Sequence, residues 1–454
     1  MTASAQSGDN RRLKGVDSLF IIGLYTIPFD NLSFAPSAGW ATVSPFVFFV
    51  YLLLRVIIEP ASILIRPRSA VLYIVASIYI LAPIPFGQLR LSNAMDSLAT
   101  LFLGVTFYFS LCVFLRGEHE RLVKMCSHIA VAYMFSLAYG VLEILTYKFH
   151  FLPLGQLFDI VEKRNYGERI SFSFTEPSFI SMHIFGVLLP VVLVLNRAAE
   201  SDFTVKAKRR ARSAFWGIMA IALIFGTSVR LLIDSTIVFL LLLAFGQIRS
   251  LFGTARNAVL GIAIIAIVGV AVTPFVTVGK FDRLSRILEA GSGHRAIGAD
   301  LSLQARAFRI QALSEGILQD SHTLLFGVGM GNAYSLVNQG AAATLGKIPG
   351  LDKNTEVSSA LKLNDNSFFN LHLRVVAELG LIFYLFMFGL LLRGGWLLYL
   401  LVLSWLYMQF DSYAFFGIWL YAAMSPMISN ANGEARIKMS SDRFSWGKGG
   451  KWRS

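Results

Sequence analysis

Five arginines, three acidic residues and a histidine carry the chemistry open to this chain, and they fall in or beside three short stretches. In "RISFSFTEPSF", from Arg169 to Phe179, one arginine and one glutamate flank the start of an apolar run, and Arg164 lies just before. In "DLSLQARAFRIQALSEGIL", from Asp300 to Leu318, Arg306 and Arg309 stand one helical turn apart. In "LNDNSFFNLHLRVVAELGLIF", Asn364, Asp365 and Asn366 precede a long apolar run whose first two turns hold His372, Arg374 and Glu378.

Arginine keeps its charge at any working pH, and its planar fork matches phosphate oxygens with paired hydrogen bonds. Clusters of arginines facing one pocket can therefore hold a pyrophosphate; taken singly, each serves equally as an interfacial anchor for lipid headgroups. Glu176, at the boundary of an apolar span, marks either a functional site or an ion pair with Arg169. Pro177 suits the first turn of a helix that Thr175 or Glu176 would cap. Asp365 and His372 are able to take a proton from a sugar hydroxyl, although an Asp-Asn turn that only caps a helix explains the same residues. Arg374 and Glu378, four apart, can pair along their helix.

No better-known catalytic signature competes. "GVGMGN" lacks the third glycine and the βαβ setting of a dinucleotide fingerprint, and the sequence has no P-loop and no HExxH. The histidines at 119, 128, 150, 183, 294, 322 and 372 show no metal-ligand spacing, so neither a metal nor another cofactor is expected.

These residues are set in a very apolar chain. Of 454 residues, 55% are hydrophobic and 15% charged, with a mean hydropathy of +0.62, which excludes an ordinary soluble protein. Windows long enough to cross a bilayer recur near 18–34, 40–58, 70–86, 94–115, 125–146, 173–196, 213–229, 231–248, 257–277, 371–392, 395–410 and 412–430. The expectation is an all-α polytopic membrane protein of about twelve spans, or eleven if two short windows merge. The first apolar run, after "RRLKG", has signal-peptide features but an internal proline, and reads as an uncleaved first helix.

A net charge of +13 follows from the bias of Lys and Arg towards cytoplasmic loops, so no nucleic-acid partner is expected. The basic connections alternate with poor ones, which puts both termini in the cytoplasm. Cys112 and Cys126 then lie at neighbouring cytoplasmic ends and read as packing residues. The chain divides into an N-terminal segment 1–17, a bundle over 18–277 with an outer loop at 147–172, a large outer loop over 278–370, further spans over 371–430 and a basic tail over 431–454. The large loop is too long for a plain connection. It should contain an amphipathic helix near 300–318, with Leu303, Ala307, Ile310 and Leu313 at helical spacing, followed by a glycine turn and a mobile stretch from Gln339 to Ser359.

Taken in order, the stretch before Glu176-Pro177, the "SLQARAFRIQAL" segment leading to "LLFGVGMGN", and "DNSFFNLHLRVVAELGLI" resemble the O-antigen polymerase and ligase superfamily, the Wzy and WaaL type. The resemblance spans roughly residues 18–430; each motif is degenerate, and their order on one face is the specific feature. It implies a metal-independent glycosyltransferase of the C type in the bacterial inner membrane, with its active site at the periplasmic face. Such an enzyme moves a glycan from an undecaprenyl-pyrophosphate carrier to an acceptor sugar, alongside a chain-length regulator and a flippase. By position, Arg169 and Arg306 match the pyrophosphate-gripping arginines, with Arg164 and Arg309 beside them, and Glu176 matches the motif's glutamate.

One departure points to a branch. Ligases of this superfamily tend to carry a histidine before the asparagine that opens the span after the loop, where this chain has Asp365 before Asn366. The resemblance then implies the polymerase or exopolysaccharide branch, with Asp365 or Glu176 as base, and a ligase as the nearest alternative. A secondary transporter would share the span count, but it would place charges or helix breaks at mid-span in corresponding halves; Asp234 is the residue that reading would use.

Overall fold

The computed structural model describes residues 15–31, 43–60, 91–147, 170–174, 176–225, 229–247, 301–345, 354–363 and 368–428, with a few single positions between them. The spans expected at 70–86 and 257–277, both termini and the start of the large loop lie outside the described residues. Regular structure among the described residues is helical throughout. In chain order the bundle helices are α1 (Gly15–Thr26), α2 (Val43–Ile58), α3 (Leu91–Leu115), α4 (His119–Tyr147), α5 (Pro177–Arg197), α6 (Asp202–Phe225) and α7 (Val229–Ala244). The large loop supplies α8 (Leu301–Leu318), α9 (Ser321–Phe326), α10 (Ala333–Leu345) and α11 (Thr355–Leu363). The chain returns through α12 (Leu371–Leu392), α13 (Leu397–Tyr407) and α14 (Phe416–Ile428).

Four helices, α3, α4, α5 and α12, are long and apolar enough to cross a membrane, since about 20 residues cover roughly 30 Å of hydrocarbon. They differ in setting: 94% of the apolar window of α5 is buried inside the protein, against 22% for α12. Helix α5 is therefore the axis of the bundle, consistent with its being apolar on every side. Its backbone is not regular. A 3-10 turn (Pro177–Phe179) leads into an α turn (Ile180–His183), a π segment (Ile184–Leu188) and a last α piece with Pro190 in its first turn. Proline has no N–H for the carbonyl four residues back, here that of Gly186. The Tyr399 hydroxyl donates to this carbonyl at 2.6 Å, restoring a bond that an apolar interior would otherwise leave unmade.

Helix ends gather at two opposite ends of the bundle. At one, Arg55 pairs with Asp17 at 3.2 Å and with Glu59 at 3.1 Å, while Arg116 pairs with Glu59 at 2.6 Å. Those residues belong to the ends that the sequence assigns to the basic side. Cys126 is buried nearby in the chain and Cys112 half-buried, both as free thiols. At the other end Asn31, just past α1, donates its N–H to the Ser173 carbonyl, and Ser97, early in α3, bonds Glu378, early in α12.

The large loop builds a second core on that end. Helix α8 lies along α10, burying Ala305, Phe308, Ala312 and Leu313 against Ala333, Leu336, Val337 and Ala341. The helical period expected for this segment is present, but the buried stripe is rotated: Leu303, Ala307 and Ile310 are only partly buried, while Gln304, Phe308 and Arg309 point inward. The stretch expected to be mobile is helical as far as Leu345 and resumes in α11. Two glycines explain the tight fit, because a Cβ on Gly340 would strike the Ala312 carbonyl and one on Gly316 the Leu336 carbonyl. Gly340→Val should cost about 1–3 kcal/mol through overpacking, read as a lower melting temperature of the purified protein in detergent. An unchanged melting temperature would contradict this contact.

Backbone also meets backbone after α9. Asp320 caps that short helix, accepting from the His322 and Thr323 amides; these bonds lower its carboxyl pKa. The "GVGMGN" turn then lies against α12: Val328 and Gly329 donate to the carbonyls of Ala377 and Glu378 at 2.8 and 2.9 Å. Helix α12 is broken there by Gly380, with φ of 83°, a left-handed conformation that glycine adopts at little cost. A Cβ on Gly327 would lie 2.6 Å from the Glu378 backbone, so the glycines of this turn serve close approach.

Candidate active site

The "ISFSF" stretch is a peg driven into the bundle. Residues Ile170 to Phe174 are all buried. Ser171 donates its N–H and its hydroxyl to Glu143 Oε1 at 3.3 and 2.9 Å. Ser173 donates its hydroxyl to the Pro28 carbonyl at 2.5 Å and lies 2.8 Å from the Ser136 hydroxyl. Phe172, at a positive φ of 57°, fits where Gly140 has no side chain. Phe174 stacks on His183 at 4.1 Å, and His183 lies between the Tyr133 hydroxyl at 2.8 Å and Asp30 Oδ2 at 2.7 Å. Alternating serine and phenylalanine thus fixes the backbone just ahead of Glu176.

Glu176 occupies the cap position of α5, but its side chain makes no capping bond. Its Oε2 accepts from Ser178 Oγ at 3.1 Å, and it is only half-buried. The simple capping expectation therefore does not describe it, and Thr175 and Arg169 lie outside the described residues. Arg230, at the head of α7, lies within the electrostatic reach of Glu176 and also feels Arg306. Glu176 at the α5 entry and Arg306 on the loop helix α8 thus each lie within electrostatic range of Arg230 on α7.

Arg230 is itself held. Its Nε donates to Asp234 Oδ2 at 3.3 Å, and the other Asp234 oxygen accepts from Trp405 Nε1 at 2.8 Å and Gln409 Nε2 at 2.9 Å. Asp234 is fully buried and Arg230 is 9% exposed, yet Arg230 Nη2 has no hydrogen-bond partner among the described residues. A buried guanidinium N–H is costly to leave unpaired, so one arm of Arg230 is free for an anion. The sequence reading singled out Asp234 and passed over Arg230. The available clue was its i, i+4 spacing to Asp234 at the outer end of a span.

Arg306 and Arg309 converge on one ring, with guanidinium carbons 4.9 and 5.1 Å from the Phe369 centroid. Stacking on an aromatic face orients a guanidinium while leaving its in-plane donors to other groups. Phe369 has a φ of 57°, a conformation costing an aromatic residue on the order of 1–3 kcal/mol. Strain of this kind tends to collect at functional sites, and here it sets the platform for two arginines.

The remaining expected residues separate from this group or lie outside the described residues. Arg164, Arg169 and Asp365 are in the second category. His372 has both nitrogens engaged: Nε2 donates to the Ser404 carbonyl at 2.9 Å, and Nδ1 accepts from the Tyr384 hydroxyl at 3.1 Å. In this geometry it has no lone pair left for a substrate proton. Arg374 and Glu378 do pair, at 3.2 Å. Around them Arg374 donates to Ser97 Oγ at 2.7 Å and the Asp411 carbonyl at 3.0 Å, while Glu378 accepts from Tyr413 at 2.8 Å and the Gly331 amide at 3.1 Å. Every oxygen of Glu378 is thereby satisfied, and the pair reads as the pin joining α3, α12 and the glycine turn.

No protein-family model matches the chain, and no curated protein does.

Proposed function

We propose that this protein is a polysaccharide polymerase of the bacterial inner membrane, with about twelve spans, a glycosyltransferase C-like architecture, cytoplasmic termini and a periplasmic site. It transfers a glycan from an undecaprenyl-pyrophosphate carrier to the hydroxyl of an acceptor sugar. One observation supports the reading: Glu176 and Arg306, from distant parts of the chain, both lie within electrostatic range of the buried Arg230.

The chemistry needs few groups. The acceptor oxygen bonds to the anomeric carbon, the bond from that carbon to the carrier's phosphate oxygen breaks, and the hydroxyl proton passes to a carboxylate. Pyrophosphate is already a good leaving group, so preorganised arginines that meet its growing negative charge supply most of the catalysis. Arg306 and Arg230, with Arg309, Arg169 and Arg164 beside them, take the pyrophosphate. Glu176 or Asp365 takes the proton.

Analysis of carrier lipids in a strain lacking the gene tests the reading. Single repeat units on the carrier are expected; long glycan on the carrier would instead mark a ligase, and an unchanged carrier pool would exclude both.

A further inference from the structure

At the opposite end of the bundle, where α5 and α7 finish and α13 begins, Arg197, Gln247, Trp396 and Leu397 line a cavity of about 180 Å³. Two independent features of it suit an anion, the start of α13 and the Trp396 indole. Helix α13 starts without a side-chain cap. Its first bond from Leu400 to the Trp396 carbonyl leaves the amides of Leu397, Leu398 and Tyr399 outside the helix ladder, the arrangement that binds phosphate at helix starts. Trp396 is 5% exposed, and its indole Nε1 has no hydrogen-bond partner among the described residues.

Arg197 adds charge. Its guanidinium lies 6.0 Å from the Trp396 ring centroid, and its hydrogen bond to a described side chain is a long one, 3.4 Å to Gln247 Oε1. Among the described residues no carboxylate lines the cavity. The carbonyls that end α7 are closed off, since Gly246 and Gln247 donate to Leu243 and Leu242 with Gly246 left-handed, a Schellman motif. The α7 C-terminal carbonyls therefore do not oppose an anion here.

We propose that this cavity binds the phosphate of an anionic phospholipid. Its volume falls below the roughly 300 Å³ at which pockets for drug-sized ligands begin, which suits a single headgroup phosphate. The rim is apolar and outward-facing, with Leu397 46% and Phe245 39% exposed, so acyl chains continue from the polar floor along the bundle. The cavity lies where a membrane-length helix ends on the basic side, the level at which arginine and tryptophan meet headgroups. The inference does not depend on glycan transfer.

Native mass spectrometry of the full chain in detergent, titrated with phosphatidylglycerol and with phosphatidylethanolamine, tests it. Phosphatidylglycerol should be retained preferentially, and both Trp396→Phe and Arg197→Gln should cut that retention about fivefold or more. Millimolar inorganic phosphate should not displace the lipid. Trp396→Phe keeps an aromatic side chain while removing the donor nitrogen and part of the indole, so the test still has a readout if Arg197→Gln folds poorly. Unchanged retention in Trp396→Phe, or displacement of the lipid by inorganic phosphate, would overturn the proposal.

Discussion

Arg306→Ala should abolish long polymer while the protein still reaches the membrane at its normal level. The side chain stacks on Phe369 and lies within electrostatic range of Arg230, and it is only half-buried, so its loss leaves little unpaired inside the fold. Removing one preorganised donor from a transition state that is gathering charge costs about 10²–10³ in rate. Arg230→Ala should be equally inactive but less stable, because it leaves Asp234 buried with a charge that Trp405 and Gln409 alone must satisfy. Chain-length ladders from complemented cells, with immunoblots of the membrane fraction, separate the effects. A normal ladder from Arg306→Ala would remove this arginine from the reaction.

The second large effect is on the fold. Arg374→Ala strands the Glu378 carboxylate, which is 0% exposed, and breaks the bonds to Ser97 and the Asp411 carbonyl in one step. Breaking a buried pair in this way costs about 3–5 kcal/mol. Membrane abundance and melting temperature should both fall sharply, and any loss of polymer should follow abundance. The double substitution Arg374→Met with Glu378→Leu removes both charges and should recover much of the stability. If Arg374→Ala accumulates normally yet makes no polymer, the pair belongs to the chemistry and not to the scaffold.

Hydropathy made much of the bundle legible because bilayer thickness fixes helix length: 94–115, 125–146, 173–196 and 371–392 coincide with α3, α4, α5 and α12. The breaks inside those helices were less visible. Pro190 signals an interruption, but that Tyr399 would answer the freed Gly186 carbonyl from 213 positions away is a tertiary fact. The rotated face of α8 has a similar cause. Its polar Gln304 and Arg309 turn inward because Asn354 and Phe369 wait there, and a stripe counted from apolar residues alone cannot register that. In the candidate site, Arg306, Arg309 and Glu176 stood out as charges beside apolar runs. Arg230 did not: its i, i+4 spacing to Asp234 signals a pair, and only the second guanidinium nitrogen, left over after that pairing, reveals the spare capacity.

The most direct test is reconstitution. Lipid-linked oligosaccharide extracted from a strain lacking the gene is added to liposomes containing the purified protein, and the products are resolved by size. Glycan transfer from the carrier predicts a ladder of lengthening chains with release of undecaprenyl pyrophosphate, and no ladder from Arg306→Ala. Repeat units that stay single in the presence of the wild-type protein, with no carrier released, would contradict the account.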